Sequence, residues 1–278
     1  MSDIRNYCVY YGKGRIRDLC KFDLVIIQPA HYTPQEIAFL KTNKTKVLGY
    51  LSIGEDYPLK VHNGKGPGGY ASWYLDYFTG VGCDIPGPDG KPDRHKDWGS
   101  YFVNPKDKGW QQYVIYEKMA TIVEDLGCSG AFLDTVLYPH LYPEDIKEKI
   151  LKPGMIELIR KIRETYPQEY LLVNNGWIVL QEITPFINAI MYESFSSTLK
   201  KLKPSELSYT TSQANRINSI RGWTDNPLFD VFTLDYTEET DLDLITFAYR
   251  RARSFGFIPS VSSLTHSKLY MVNLEFGE

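Results

Sequence analysis

The sequence predicts a single (β/α)8 barrel, an α/β fold in which eight parallel strands alternate with helices. Short apolar runs alternate with helical patterns along the chain, which is typical of βα units. Eight such runs can be counted, and the chain of 278 residues is long enough for the roughly 250 that a barrel needs. The alternative, an open doubly wound sheet, lacks a GxGxxG motif after the first predicted strand. No low-complexity linker divides the chain, so we expect one domain over residues 1–278.

The first predicted strand and helix show the pattern most clearly. FDLVIIQP (22–29) is an almost continuous apolar run, as expected of a strand that is covered on both faces. TPQEIAFLK follows it, and Thr33 can cap the helix, with Pro34 at the first helical position. Glu36 would complete a capping box with Thr33. The chain therefore opens with one complete βα unit.

The remaining elements continue this alternation. Further strands are predicted at KVLGYLSIGE (46–55), SYFVN (100–104), GAFLDTV (130–136), YLLVNNG (170–176), AIMYESF (189–195), FDVFTLDY (229–236) and FIPSVSS (257–263). Helical patterns cover 108–127, 154–167, 204–221 and 241–256, and glycine or proline ends three of them.

A long loop, residues 56–99, joins the second and third predicted strands without a clear helix. It contains the segments NGKGPGG and IPGPDGKPD and several aromatic residues. Loops longer than about 12–15 residues are usually functional or disordered. Because it leaves the carboxyl end of a strand, it would lie over the functional face of the barrel. It is either a self-packed decoration or the wall of a substrate groove.

Composition and charge exclude several classes of protein. A net charge of −3 gives no sign of a nucleic-acid partner. No run approaches the ~18 apolar residues of a membrane span, and the start, MSDIRNYCVYYGKG, lacks the apolar core of a signal peptide. The five histidines form no HExxH and the four cysteines no CxxC, so we expect no metal site and no cofactor. The 21 tyrosines suit a sugar-binding surface.

Each predicted strand has a polar residue at or near its carboxyl end. In a barrel these ends converge on one rim, where active sites lie. Any single residue of this set could simply cap a turn, but their shared position favours a site. The candidates for substrate binding are Gln28, Ser52, Glu55, Asn104, Asn174, Tyr192, Asp235 and Tyr236.

Two carboxylates, Asp134 and Glu193, directly follow apolar residues of the fourth and sixth predicted strands. Two strands apart on the ring, they could face each other across the mouth of the barrel. Paired carboxylates without metal-binding histidines suggest hydrolysis of glycosidic bonds.

Five segments carry a resemblance to a known family: VLGYLSIGEDY, GAFLDTV, VNNG, YESF and the LDY of the seventh strand. On these segments the chain resembles the family 114 glycoside hydrolases, the endo-α-1,4-polygalactosaminidase group, over about residues 22–263. The resemblance implies a TIM-like barrel whose catalytic acids fall on Asp134 and Glu193. It also implies cleavage of α-1,4-linked, galactosamine-rich polysaccharide, and export from the cell, which is common among members.

The mechanism that we expect is retaining, with Asp134 as nucleophile and Glu193 as general acid/base. A rigid strand end suits a nucleophile, and the extra methylene of Glu193 lets it reach the leaving oxygen. Retention requires carboxyl groups about 5–5.5 Å apart. The sequence leaves the swapped assignment open, since nothing in it orders the two acids.

Two other functions fit the same residues. One is a catalytically silent carbohydrate-binding barrel. The other is a barrel hydrolase or lyase that acts on another polysaccharide, including a metal-dependent enzyme with Glu55, Asp134 and Glu193 as oxygen ligands.

Overall fold

Eight parallel strands form one sheet, and the first and last strands contact each other to make a nearly closed barrel. The structure, a computed structural model, describes residues 4–80, 83, 85–136, 142–223 and 229–277. The strands are β1 Tyr7–Tyr10, β2 Leu24–Ile27, β3 Lys46–Ser52, β4 Gly130–Asp134, β5 Tyr170–Asn174, β6 Ala189–Thr198, β7 Asp230–Tyr236 and β8 Ile258–Ser262. They are hydrogen-bonded in chain order, which confirms the predicted (β/α)8 barrel.

Helices fill most of the connections between the strands. They are α1 Ile16–Leu19, α2 Pro34–Thr42, α3 Lys108–Tyr113, α4 Glu144–Ile146, α5 Lys152–Thr165, α6 Leu180–Ile183, α7 Pro204–Trp223, α8 Leu242–Ser254 and α9 Val272–Glu275. Wider, π-helical turns extend α3 through Val114–Met119 and Thr121–Asp125, and Lys147–Leu151 joins α4 to α5. Within the described parts of the chain, no helix is both long enough and apolar enough to cross a lipid bilayer.

The start of α2 has the capping box that the sequence predicts. The Glu36 amide donates to the Thr33 hydroxyl at 3.3 Å, and the Thr33 amide donates to the Glu36 carboxylate at 2.9 Å. Two of the amide groups at this helix end are thereby satisfied.

One predicted strand was wrong and another was missed. Residues 100–104 do not join the barrel, because Tyr101–Phe102 pairs antiparallel with Glu55–Asp56 in a separate ladder. The barrel instead includes β1, a run of only four buried residues, which the sequence pattern did not single out. The two changes cancel in the count, so Asp134 still ends the fourth barrel strand and Glu193 still lies in the sixth.

The long loop between β3 and α3 packs on itself and also reaches the barrel mouth. It contains two short ladders, Glu55–Asp56 with Tyr101–Phe102 and Phe78–Thr79 with Ile85–Pro86. The fully buried Trp73 stacks on Tyr113 of α3, with ring centroids 5.6 Å apart. Tyr57 and Trp98 of the same loop line the cavity at the mouth. The loop is therefore packed on itself and also forms part of the cavity wall.

The barrel strands bury both faces, because side chains alternate between the barrel interior and the layer beneath the helices. In β2, Leu24 and Ile26 belong to the interior cluster, whereas Val25 and Ile27 pack in the outer layer. The same alternation holds in β4, where Phe132 is interior and Leu133 is outer. This alternation decides which strand-end residues point into the barrel mouth.

Candidate active site

A cavity of about 1140 Å³ opens at the carboxyl ends of the barrel strands. Its centre is formed by residues that continue the inward-facing series of their strands: each lies two positions after an interior residue. These residues are Tyr50, Asp134, Asn174, Glu193 and Tyr236.

Asn174 connects the two predicted catalytic acids. Its side-chain nitrogen donates to Asp134 Oδ1 at 2.9 Å and to Glu193 Oε2 at 2.7 Å. These two oxygens therefore lie no farther apart than the sum of the two distances, about 5.6 Å. An amide nitrogen has two hydrogens, so one donor serves both carboxylates.

Asp134 accepts two further hydrogen bonds. The Tyr50 hydroxyl donates to Oδ2 at 2.9 Å, and the Thr135 amide donates to Oδ1 at 2.7 Å. Burial raises the pKa of Asp134, and the charge of Glu193 raises it further, while its three donors oppose both effects. The charge of Glu193 therefore makes Asp134 harder to ionise.

Glu193 is held from its other side by Tyr236. The Tyr236 hydroxyl donates to Glu193 Oε1, and the Glu193 amide donates to the side-chain oxygen of Asn175 at 3.3 Å. Burial, and then the charge of Glu193, raise the pKa of Tyr236 well above its ordinary value. Tyr236 therefore stays protonated and remains a donor.

The backbone turns sharply directly after each of three site residues. Thr135, Asn175 and Ser194 follow Asp134, Asn174 and Glu193, and they have φ angles of 57°, 53° and 56°. Positive φ is uncommon for residues with a β-carbon and is a clear outlier for a β-branched one such as Thr135. Such strain clusters at functional sites, where the surrounding structure holds it.

Four of the residues predicted to bind substrate also line this cavity: Gln28, Ser52, Glu55 and Tyr192. The Ser52 hydroxyl donates to that of Thr135 at 3.1 Å. The buried Tyr192 hydroxyl has no hydrogen-bond partner among the described residues, and its ring lies 4.4 Å from that of Trp177. A buried donor without a partner is costly, but this oxygen has almost no exposed surface, so a ligand would reach it only after neighbouring side chains move.

Two predicted site residues do not line the cavity. Asn104 lies in the turn before α3, where its side-chain oxygen accepts from the Lys106 amide at 2.9 Å. Asp235 is only 1 % exposed and accepts from the amides of Ser196 and Ser197, which fixes an irregular stretch of β6. Asp235 belongs to the outward series of β7, whereas its neighbour Tyr236 belongs to the inward one.

The structure also adds residues that the sequence reasoning missed. Tyr50 donates to Asp134, His266 lies beside the Tyr236 hydroxyl, and Trp177 lines the cavity beside Tyr192. Tyr50 could have been found from its inward position, two residues before Ser52. His266 lies beyond β8, where no pattern identifies it.

Glu55 lies on the wall that the long loop forms, and it is buried, with 6 % of its surface exposed. The Ser100 hydroxyl donates to its Oε2 at 2.6 Å, while Oε1 has no hydrogen-bond partner among the described residues and lies 4.0 Å from His95 Nε2. Burial raises the pKa of Glu55 to about 7, although the bond from Ser100 opposes this. Among the described residues, including those of this site, no group of three or more His, Cys, Asp and Glu side chains is arranged to hold a metal ion.

We expect Glu55→Gln to stabilise the protein at high pH only. Because the pKa of Glu55 is raised from 4.5 to about 7, its ionisation destabilises the fold. The free energy of unfolding is therefore unaffected below about pH 4.5, where Glu55 is protonated in both states. It falls as the pH rises through 7, by up to about 3 kcal/mol at pH 8. Thermal unfolding at pH 4 and pH 8 measures this difference.

Glu157→Gln is the control for this prediction. Hydrogen bonds from Lys108 and Lys161 lower the pKa of Glu157 to about 2, so its charge stabilises the fold. Glu157→Gln should therefore show no increase in melting temperature at pH 8. Equal melting temperatures for wild type and Glu55→Gln at pH 8 would contradict the burial argument.

A parallel barrel with paired acids at its carboxyl rim is the architecture of many glycoside hydrolases, and solved structures place this chain among them by fold. The glycoside hydrolase domain of PelA from Pseudomonas aeruginosa superposes with a TM-score of 0.75 at 18 % identity, over 95 % of this chain and 96 % of that one. Ega3 from Aspergillus fumigatus, in complex with galactosamine, gives 0.60 at 13 %, over 93 % and 90 %.

A maltogenic α-amylase, AmyB from Thermotoga neapolitana, is also similar, with a TM-score of 0.54 at 11 % identity, over 96 % of this chain and 70 % of that one. No protein-family model matches the sequence, and no curated protein sequence matches it significantly. The resemblance to the family 114 glycoside hydrolases is confirmed at the level of the fold.

Proposed function

We propose that the protein is an endo-acting, retaining glycoside hydrolase that cleaves α-1,4-linked, galactosamine-rich polysaccharide. Asp134 is the nucleophile and Glu193 the general acid/base. The observation that carries the proposal is the pair of carboxylates held by one nitrogen, that of Asn174, at the barrel mouth.

The spacing of the acids supports retention. Retaining enzymes place their carboxyl groups about 5–5.5 Å apart, whereas inverting ones need roughly 6.5–9.5 Å to admit a water molecule. The upper limit of about 5.6 Å between Asp134 Oδ1 and Glu193 Oε2 fits the first arrangement.

The hydrogen bonds support the assignment of roles. Asp134 accepts from three donors, which favour its charged form and oppose the effect of burial, whereas the Glu193 side-chain oxygens accept from two. As general acid, Glu193 gives a proton to the glycosidic oxygen while Asp134 attacks the anomeric carbon. In the second step Glu193 removes a proton from water, which displaces Asp134 from the sugar.

The charge of the cavity supports an amino-sugar substrate. Its lining includes the carboxylates of Glu55, Asp56, Asp134 and Glu193. Lys118, which also lines it, is paired with Asp56 at 2.9 Å. The acid pair together with Glu55, whose pKa is raised to about 7, leaves negative charge in the cavity, which favours a cationic polymer. Ega3, which shares the fold, was solved with galactosamine.

The aromatic residues at the mouth support cleavage within a chain. Tyr57 and Trp98 are both 72 % exposed on the long loop, and Tyr209 is exposed on α7. All three line the cavity, so flat faces for sugar rings lie on separate elements around the acids. A polymer can therefore contact the protein on more than one side of the bond that is cut.

A timed digest of α-1,4-linked polygalactosamine tests the proposal. We expect long fragments early in the reaction, and proton NMR of fresh ends should show the α-anomer of the substrate. A β-anomer would mean inversion. Cleavage of neutral α-linked polymers only would contradict the proposed amino-sugar substrate. Binding without cleavage would favour a catalytically silent barrel.

A further inference from the structure

We propose that His266 is a positioning residue that holds the Tyr236 hydroxyl on Glu193 and so sets the proton affinity of that carboxyl group. The proposal rests on the function proposed above, because it concerns the acid/base of that reaction. His266 lies four residues after the end of β8 and lines the cavity without contacting either acid by a hydrogen bond among those that the structure describes.

The positions of the donors fix the direction of a hydrogen-bond chain. His266 Nε2 lies 3.5 Å from the Tyr236 hydroxyl, and Nδ1 lies 2.9 Å from Ser262 Oγ. Tyr236 has one proton and donates it to Glu193, so it can only accept from His266. Nε2 must therefore carry the hydrogen, and Nδ1 of the neutral ring must accept from Ser262. The chain runs from Ser262 through His266 and Tyr236 to Glu193, with every donor directed at the carboxylate.

The ring is neutral under ordinary conditions, as this chain requires. Burial lowers the pKa of His266 to about 4, and the charge of Asp134 opposes this only in part. The other groups that face the ring are Tyr11, from the end of β1, and Tyr236. Burial raises the pKa of both tyrosines well above the ordinary value, so both stay protonated.

His266 is held independently of Tyr236. Its carbonyl accepts from the Tyr11 amide at 2.8 Å, and its own amide donates to the Ser263 carbonyl at 3.1 Å. The Tyr11 ring packs edge-on against the imidazole, with centroids 4.9 Å apart. His266 also has a φ of 52°, a strained conformation that the surrounding contacts maintain. The imidazole is therefore placed before substrate arrives.

This placement matters because Glu193 must lose and regain a proton in each cycle. Donors directed at a carboxylate favour its charged form, and hydrogen bonds in a chain strengthen one another. Without His266, the Tyr236 hydroxyl is free to turn away, and Glu193 keeps its proton to higher pH. The carboxyl group then becomes a weaker acid for the departing sugar.

The test compares His266→Asn with His266→Gln. Asn tolerates positive φ but is too short to reach Tyr236, whereas the Gln amide can present an N–H near the position of Nε2. We expect His266→Asn to lower kcat on the order of tenfold with little change in KM. The alkaline limb of the plot of kcat against pH should move to higher pH. His266→Gln should recover part of kcat and return the limb toward the wild-type pH.

His31→Asn is the matched control. His31 contacts the Tyr11 carbonyl at 2.8 Å from outside the cavity, so this variant disturbs the same neighbour and should keep the wild-type pH profile. A wild-type profile in His266→Asn would overturn the proposal. An equally impaired His266→Gln would assign the effect to ring packing and overturn it as well.

Two NMR measurements separate this proposal from the proposed function, since neither needs turnover. Nitrogen-15 shifts of the resting protein should show His266 neutral and protonated on Nε2 between about pH 5 and 8. Carbon-13 shifts should show the Glu193 carboxyl titrating at higher pH in His266→Asn than in wild type. The opposite tautomer, or identical titrations, would overturn the role of His266 even in an active enzyme. If both NMR results are as expected but the protein cleaves no polysaccharide, the proposed function is rejected and the role of His266 is kept.

Discussion

Asp134→Asn and Glu193→Gln are each expected to lower kcat on galactosamine polymers at least about a thousandfold, with the barrel still folded. Asp134→Asn removes the nucleophile, and Glu193→Gln removes the proton that the leaving oxygen needs. Both replacements keep the size of the side chain. Initial rates of new reducing ends measure the loss, and circular dichroism confirms the fold.

Asp134→Asn should also make the protein more stable at neutral pH. The pKa of Asp134 is raised in the folded state, so its ionisation costs stability that is intact at low pH and is lost as the pH rises. An amide carries no charge to bury, and the Tyr50 hydroxyl can rotate to accept from it. A higher melting temperature with lost activity is the expected combination.

Asp230→Asn is the matched control for the loss of activity. Asp230 is also buried on a barrel strand and accepts from a tyrosine hydroxyl, that of Tyr170, at 3.0 Å. It lies at the opposite end of β7 from the cavity, so activity should remain. If Asp134→Asn kept a tenth of the wild-type rate, the proposed nucleophile would be wrong.

Asn174→Ala is expected to lower kcat on the order of a hundredfold, because one side chain orients both acids. Its loss removes a donor from Asp134 and from Glu193 together, and no side chain then bridges the two acids, although Tyr50 and Tyr236 still hold each of them separately. We expect Asn174→Asp to be worse still, since it adds a third carboxylate between the two. Rates and the pH dependence of kcat measure both variants.

Asn104→Ala serves as the control. The sequence places Asn104 and Asn174 alike at the ends of predicted strands, but only Asn174 reaches the cavity. Asn104→Ala should therefore keep its rate and lose at most some stability from the turn before α3. Similar activities for the two alanine variants would remove Asn174 from the site.

The fold could be predicted because buried parallel strands have a distinct pattern. Residues 22–29 are a nearly continuous apolar run, and residues 229–236 are mainly apolar; both form barrel strands. β1 was missed because only four residues, Tyr7–Tyr10, form it, with no helical pattern of normal length behind it. Residues 100–104 were misplaced because a short apolar strand looks the same in a loop ladder as in a barrel.

The site could be predicted in part because polar residues at strand ends share one rim. Position alone did not separate inward from outward side chains, so Asp235 was selected together with Tyr236. The alternation of side chains along a strand makes that distinction. Asn174 lies two residues after the interior Leu172, and Glu193 lies two residues after the interior Met191, so both face the barrel mouth. His266 could not be found in this way, since contacts between segments far apart in sequence bring it to the acids.

The three residues with positive φ at the rim imply that selection for heat resistance would reduce the activity of this protein. Thr135, Asn175 and Ser194 each hold an unfavourable conformation worth roughly 1–3 kcal/mol, so substitutions that relax them offer an easy gain in melting temperature. The same backbone turns aim the three side chains before them. A laboratory population evolved only for thermal tolerance should therefore accumulate changes at these positions and lose turnover as it does so.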